Sequence, residues 1–390
     1  MRNVVIVAAA RTPIGRFKGS FADLRADHLG AAVLNELARR AGVQPADVDD
    51  VIFGCVTQIG EQCGNIARTS LLSAGWPESI PGMTVDRKCG SAEAAIHTAY
   101  AQIAAGVIDV AAAGGAESMT RVPMGSNRDL HGKPFGWRLT ERFEMVSQGE
   151  AAERVADQWG ISRTDLDQFA VASHARAAAA ADQGYFAREI VPVRLADWSE
   201  TRDGDASVVL SHDETIRRGT NLEKLATLKT SFRPDGKVTA GNSSQISDGA
   251  AGLLLMAEEV AAQRGIAPLA RIRAVAVVGS DPTLMLTGPV TATRKVLARA
   301  GLTAADIDLF EVNEAFASVP LMWMKEIGVG HDRLNVNGGA VALGHPLGGS
   351  GARIMTTLVH ELSRRGARFG LQTICCAGGL ATATIVERMG

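Results

Sequence analysis

Along the first 115 residues, apolar runs alternate with helical stripes. Val4–Ala9 is an unbroken apolar run of strand length. Leu29, Val33, Leu34 and Leu37 fall on one helical face, and that pattern stops at Gly42, a residue type that closes helices. Val51–Cys55 and Met83–Val85 predict two further strands. Ala92–Ala105 predicts a helix ending at Gly106, and Val107–Ala113 a strand closed by Gly114-Gly115. From Leu253 the alternation returns, with strands at Leu253–Met256, Ile272–Val278, Leu309–Val312, Phe369–Cys376 and Ala381–Val386. Helices over Val290–Ala300 and Ser350–Arg365 separate them. Strands and helices taking turns predict a layered α/β architecture.

The middle of the chain has another character. Arg121–Trp137 mixes Pro, Gly, Asn and Arg without a period and reads as loop. Helices follow at Gly149–Trp159 and Arg163–Asp182. The charged stretch Asp197–Arg218, with Asp203-Gly204-Asp205, reads as solvated loop and hairpin. An insertion of this kind on an α/β frame commonly carries substrate contacts.

The two alternating regions also repeat each other. Arg40-Ala41-Gly42-Val43-Gln44-Pro45-Ala46-Asp47-Val48-Asp49 lines up with Arg299-Ala300-Gly301-Leu302-Thr303-Ala304-Ala305-Asp306-Ile307-Asp308 at the same place in each region. The segment from Ala92 to Gly115 mirrors the one from Ser350 to Gly379. Two matches in one register indicate duplication. The expected division is a first half over 1–117, completed by about 250–268, an inserted loop domain over 118–249, and a second half over 269–390. Two such halves bring their helix starts together near a pseudo-dyad, which places Cys89 beside the glycine-rich turn ahead of Ser350.

Composition narrows the function classes. A formal charge of −2 offers no basic field for nucleic acid, and 5% aromatic residues leave little for base stacking. Five cysteines, odd in number and without zinc spacing, fit neither a disulfide framework nor a structural metal. The chain has no apolar run near the ~20 residues of a membrane span and no signal-peptide pattern at its start. A protein in the cytoplasm, not inserted in a membrane, is the expectation.

Chemistry concentrates in four places. In Val85-Asp86-Arg87-Lys88-Cys89-Gly90-Ser91-Ala92, the cysteine precedes a helix whose positive end favours a thiolate, so a thiol pKa below the ordinary ~8.5 is expected. The glycine-rich turn from Asn335 to Gly351 holds His345 between Gly344 and Pro346, and it lacks the lysine of a nucleotide-phosphate loop. Glu311-Val312-Asn313-Glu314-Ala315-Phe316 and Cys375-Cys376-Ala377-Gly378-Gly379 place an amide and a thiol at strand ends.

These motifs, in this order and over essentially the whole chain, resemble the thiolase family, the acyl-CoA:acetyl-CoA C-acyltransferases. The resemblance implies a duplicated thiolase-like fold, two mixed-sheet halves in an α-β-α-β-α arrangement with an inserted loop domain. It implies Cys89 as the nucleophile that takes the acyl group, activated by His345 as base. In the family a glycine lies four residues after the second catalytic cysteine. Counting back from Gly379 selects Cys375 over Cys376 as the group moving a proton to and from CoA and the α-carbon. His345, with a water held by Asn313, would stabilise the enolate oxygen, and the backbone N–H groups of Cys89 and Ala377 the tetrahedral intermediates. Arg217 aligns with an arginine contacting the CoA nucleotide. Ser244, in the segment Gly241–Ser244 followed by Asp248–Ala251, aligns with a pantetheine contact. No metal or redox cofactor is implied, only CoA and acyl-CoA as substrates. A homodimer or homotetramer is expected, in possible association with other β-oxidation enzymes.

Three positions depart from the family pattern. Asp86 replaces a frequent Asn, and Ala92-Glu93 a Gly-aliphatic pair. Ser147-Gln148-Gly149 stands where acetoacetyl-CoA-forming members carry His-Met-Gly, which favours a degradative enzyme. The competing readings are a ketoacyl synthase-like condensing enzyme, disfavoured by Cys375, and an idle acyl-CoA-binding relative, disfavoured because every catalytic position is filled.

Overall fold

The computed structural model describes residues 1–128, 130–201 and 207–390. The first half contains strands β1 (Val4–Arg11), β2 (Asp50–Gly54), β3 (Gly82–Val85), β4 (Val110–Ser118) and β5 (Ser247–Ala257). Its helices are α1 (Ala26–Ala41), α2 (Ile66–Ser73) and α3 (Ser91–Ala104). Between β4 and β5 lie α4 (Gln148–Gln158) and α5 (Arg163–Asp182). The second half contains β6 (Ala270–Gly279), β7 (Leu309–Val312), β8 (Phe369–Cys376) and β9 (Leu380–Arg388), with α6 (Gly288–Ala300), α7 (Ser318–Ile327) and α8 (Ser350–Arg365).

Strand order repeats between the halves. The first runs β3-β2-β4-β5-β1, and the second β7-β8-β9-β6. Parallel pairing of β2 with β4 corresponds to that of β7 with β8; β3 also pairs parallel with β2, and the β4–β5, β5–β1, β8–β9 and β9–β6 pairs are antiparallel. The second counterpart of β3 is reduced to a parallel bridge between Phe310 and Leu334. Here the Asn335 side chain does the work of a strand: its Oδ1 accepts the Val312 N–H and its Nδ2 donates to the Val312 carbonyl, both at 2.9 Å. The two halves join into one sheet through Val5↔Arg271 and Ile6↔Ala270.

Burial divides the molecule into layers. Leu29, Val33, Leu34 and Leu37 of α1 pack with Phe53 and Leu71 on one outer face. Val296 and Leu297 of α6 and Met322 and Trp323 of α7 pack with Phe310 on the other. Between them α3 and α8 share a core: Ala95, Ile96, Met355 and Leu358 meet Ile6 and Leu255 of one half and Ile272 and Val386 of the other. The order is therefore α-β-α-β-α, as the resemblance implied, and its centre consists of the two helices whose starts carry the candidate chemistry.

Two local expectations are corrected. The glycines at 114 and 115 do not close a strand, since β4 runs through them to Ser118. They are glycines because of crowding: a Cβ on Gly114 would lie 2.2 Å from the Ala251 carbonyl oxygen, and one on Gly115 2.0 Å from that of Gly348. The strand expected from Leu253 begins at Ser247, so Asp248-Gly249-Ala250-Ala251 is sheet backbone paired with Gly115–Ser118 rather than loop. Periodicity also gave no sign of α2 or α7.

The excursion leaves and re-enters the sheet at the pair Ser118↔Asp248. It is tied to β1 by buried Arg11, which donates to both Asp213 oxygens at 2.7 and 2.9 Å and to Glu189 at 2.9 Å. Val193–Arg194 and Val209–Leu210 form a small hairpin pairing. Asp203-Gly204-Asp205 lies outside the described residues. Among the described residues no helix is long and apolar enough to cross a membrane.

Candidate active site

Cys89 sits in a braced turn two residues ahead of α3. Lys88 adopts φ 52°, and the Ser91 hydroxyl donates to the Lys88 carbonyl at 2.6 Å while accepting the Arg87 N–H at 2.8 Å. The next residue must be glycine, because a Cβ at position 90 would lie 2.7 Å from Cys376 Sγ and 3.0 Å from Thr382 Oγ1. Cys89 is 4% exposed. Three donors address its sulfur: its own N–H, the N–H of Ala377, and Gln148 Nε2 at 4.0 Å. The expected lowering of the thiol pKa does not occur in this closed site. Desolvation of the thiolate outweighs the donors and pushes the thiol up to about 11.

His345 approaches from the second half, its backbone N–H donating to Ser247 Oγ at 2.8 Å. Its Nδ1 lies 2.6 Å from Ser350 Oγ, and Ser350 Oγ lies 2.8 Å from the Pro346 carbonyl. A hydroxyl has one hydrogen; Ser350 gives it to Pro346 and therefore accepts from Nδ1–H. That assignment leaves Nε2 unprotonated, its lone pair accepting from Asn313 Nδ2 at 3.3 Å. Burial, then the Arg353 charge, lowers the imidazole to about 3, so the resting ring is neutral.

Asn313 follows β7, with its N–H on the Thr373 carbonyl at 3.1 Å and its Oδ1 without a protein partner. The adjacent Glu314 fixes this turn: its carboxylate accepts from Ser173 Oγ at 2.7 Å, Asn335 Nδ2 at 2.9 Å and the Val341 N–H at 3.1 Å. Cys375 and Cys376, as neighbours in a strand, point to opposite faces. Both are buried and both feel charge on Cys89, and burial raises both thiols. Cys376 lies against Gly90 and 3.7 Å from the Ile374 carbonyl. Cys375 is opposite Ala381 and Cys376 opposite Leu380 at the end of β8, and the turn that follows carries the Ala377 N–H.

The binding residues divide. Ser244 is beside the site, its N–H on the Ala315 carbonyl at 3.0 Å and its neighbour Ser243 bridged to Phe316. Arg217 is exposed on the inserted domain, its backbone N–H on His174 Nδ1 at 3.1 Å. The structure does not bring it into the cluster of Cys89, His345, Asn313 and Cys375. Glu93, at the departure after the nucleophile, is fully buried and accepts from Thr382 Oγ1 at 2.6 Å and Thr384 Oγ1 at 2.5 Å, both on β9. Burial raises its carboxyl to about 7.

Sequence reasoning missed the residues that hold this set in place. Glu117, at the end of β4, accepts N–H groups from Val56 at 2.9 Å, Thr57 at 3.0 Å and Gly348 at 2.8 Å, linking the first half to the histidine loop. Its only advance signal was a charged residue at the end of an apolar strand. The roles of Ser350 as the partner of His345 and of Gln148 beside the sulfur depend on tertiary contacts.

Comparison with known proteins identifies the family. Residues 4–259 match the family model of the thiolase N-terminal domain, and residues 266–388 that of the thiolase C-terminal domain. The chain belongs to the thiolase family. With that membership it is an acyltransferase. It is 45% identical to the β-ketoadipyl-CoA thiolase of Pseudomonas putida over 100% of both chains. Identity to the 3-ketoacyl-CoA thiolase of Bacillus subtilis is 44%, over 99% of this chain and 100% of that one. The crystal structure of the Bacillus anthracis acetyl-CoA acetyltransferase superposes with a TM-score of 0.92 at 41% identity, covering 100% of this chain and 99% of that one.

Proposed function

We propose that this thiolase cleaves 3-ketoacyl-CoA with CoA, and runs the reverse Claisen condensation, through an acyl-Cys89 intermediate, chiefly in the degradative direction. The observation that carries this reading is the convergence of the Ala377 N–H and the Cys89 N–H on the buried Cys89 sulfur. In the forward reaction the Cys89 thiol gives its proton to the unprotonated Nε2 of His345, and the sulfur attacks the 3-keto carbon. The two backbone N–H groups receive the resulting oxyanion. Cleavage of the C2–C3 bond leaves the enolate of acetyl-CoA. Nε2, protonated by the previous step, is now a donor for the enolate oxygen, and Asn313 can orient a water toward the same atom. Cys375 gives the α-carbon its proton. The resulting Cys375 thiolate takes the proton of incoming CoA, whose sulfur attacks the acyl group; the Cys89–acyl bond breaks, and the released Cys89 sulfur takes back the proton held on His345 Nε2. Thiol, imidazole and backbone donors meet each charge and proton demand, so CoA is the only coenzyme this chemistry requires.

Ser244, backbone-paired to Ala315, suits a contact to pantetheine, and exposed Arg217 suits the nucleotide end of CoA. Among the described residues β3 pairs on one side only, leaving an open sheet edge with Met83 exposed. An unpaired edge favours a second copy of this chain, in a homodimer or a tetramer of dimers. Five free thiols fit a cytoplasmic location. Incubation with a 3-ketoacyl-CoA, followed by mass analysis of the Cys89 peptide, tests the central claim; absence of the acyl mass sinks it. Rates across short, long, branched and ω-carboxylated 3-ketoacyl-CoA substrates then assign the acyl group.

A further inference from the structure

We infer that Gln148 is a further catalytic residue, its side-chain amide donating a hydrogen bond to the Cys89 sulfur whenever that atom carries negative charge. The inference rests on the acyl-Cys89 chemistry proposed above. Among the described residues, Gln148 is the side chain that hydrogen-bonds to this sulfur, with Nε2 4.0 Å from Sγ. It complements the backbone donors of Cys89 and Ala377. The amide also favours the charged form of the thiol in this site.

The amide is presented from a fixed place. Gln148 is the first residue of α4, and Ser147 caps that helix by accepting the Glu150 N–H at 3.2 Å. Gly149 lies under the Phe232 ring so closely that a Cβ there would be 2.2 Å from it. Phe232 in turn meets Phe316 edge-on, with ring centroids 6.0 Å apart, three residues after Asn313. Ala151, Ala152 and Val155 of the same helix are buried in the second-half core. With both neighbours of Gln148 held this way, a polar side chain next to the nucleophile is preorganised.

The chemistry needs such a donor twice. In acylation Sγ–H loses its proton to His345 Nε2, and the sulfur electron pair forms the bond to the acyl carbon. In deacylation the Sγ–C bond breaks and its electron pair returns to sulfur. A donor at Sγ stabilises the thiolate before the first step and after the second, and contributes least to the neutral thioester between them. Methionine, which acetoacetyl-CoA-forming members carry at this position, has no hydrogen to donate. Gln148 therefore trades an apolar contact for thiolate stabilisation.

The test uses Gln148→Met and Gln148→Glu in the full-length chain, read by iodoacetamide alkylation of Cys89 against pH and by rapid-mix acylation from a 3-ketoacyl-CoA. Loss of one hydrogen bond to a charged group predicts an alkylation midpoint about one pH unit higher and acylation about tenfold slower in Gln148→Met. The KM for CoA should be unchanged. Gln148→Glu, which keeps the shape but replaces the donor with an acceptor, should move both readings further in the same direction. Midpoints and acylation rates equal to the parent in either folded variant would overturn the inference and leave Gln148 as a wall of the pocket. A parent protein that is never acylated at Cys89 would instead sink the proposed function.

Discussion

The two halves start their central helices in the same way and place different chemistry there. In the first the sequence is Cys89-Gly90-Ser91, in the second Gly348-Gly349-Ser350, and each serine is the first residue of its helix. Ser91 spends both hydroxyl bonds on backbone, at Lys88 and Arg87. Ser350 gives one bond to backbone, at Pro346, and turns the other onto His345. Strand ends differ in the same sense. β4 carries Glu117 near its end, where it anchors loops, whereas β8 carries Cys375 near its end and leads to the Ala377 N–H. Duplication thus supplies a symmetric frame, on which one half holds the proposed nucleophile and the other the groups proposed to move protons.

The largest effect should come from the nucleophile. Cys89→Ala should lower turnover by on the order of 10^4-fold or more, since removing a nucleophile leaves only binding and oxyanion stabilisation. Its CoA affinity, measured by calorimetry, should be close to that of the parent. His345→Ala, on the opposite half, should cost about 10^2- to 10^4-fold in kcat, the range of a general base. Activity surviving the histidine variant at a tenth of parental or more would break the assigned division of labour.

Alkali and acid then act on Cys89 and His345 with opposite sign. Cys89 has a folded pKa of about 11, above the ordinary ~8.5 of a thiol. Its contribution to stability is therefore fully present below pH ~8.5 and lost as pH rises toward 11, by up to roughly 3 kcal/mol. His345 is held down to about 3, so its contribution is present above pH ~6.5 and lost as pH falls through 3. Tm against pH should show a plateau between these limbs. Cys89→Ala should make the alkaline limb shallower, the remainder belonging to the buried thiols of Cys55, Cys375 and Cys376, and leave the acid limb; an alkaline limb unchanged in that variant would contradict the burial argument.

Ser350→Ala and Ser91→Ala test the comparison at its matched positions. Without Ser350 the imidazole loses the partner that fixes its tautomer. A hydrogen bond to a group that becomes charged predicts about a tenfold to hundredfold fall in kcat. Ser91→Ala should cost about 1 kcal/mol of stability, because the half-buried Arg87 N–H loses its acceptor, with kcat nearly unchanged. Equal kinetic losses from the two serines would mean that the helix starts are chemically equivalent after all.

Much of this frame was legible in the chain. The repeat around Gly42 and Gly301 anticipated two halves, because both glycines close a helix in the left-handed conformation, at φ 64° and 66°. Motif order anticipated which residues meet, because in this fold the chemistry sits at strand ends and helix starts. Illegible were effects that depend on what surrounds a residue. The helix start at Cys89 suggested a lowered thiol pKa, but the sequence could not report the burial that reverses it. Gly114-Gly115 looked like a strand terminus, since the backbone of Gly348 that crowds Gly115 comes from more than two hundred residues away. Glu93 stood out in the sequence only as a departure from the family pattern; its partners, Thr382 and Thr384, became visible only once β9 lay against α3.

The smallest expected effect decides between adjacent thiols. Cys375 and Cys376 both lie near Cys89, so proximity does not choose between them. Strand alternation does, because the two side chains leave β8 on opposite faces. Cys376 fills the space where Gly90 lacks a side chain, its sulfur occupied by packing and by the Ile374 carbonyl. Cys376→Ala should therefore remove a buried contact worth roughly 1 kcal/mol, comparable to deleting one methylene, and leave kcat within about twofold. Cys375→Ala should instead leave acylation of Cys89 from a simple acyl-CoA measurable while stopping exchange of the α-protons of acetyl-CoA, read by deuterium incorporation. If Cys376→Ala abolished that exchange and Cys375→Ala did not, the proton carrier would be the thiol behind the nucleophile turn, and the glycine count that selected Cys375 would be off by one residue.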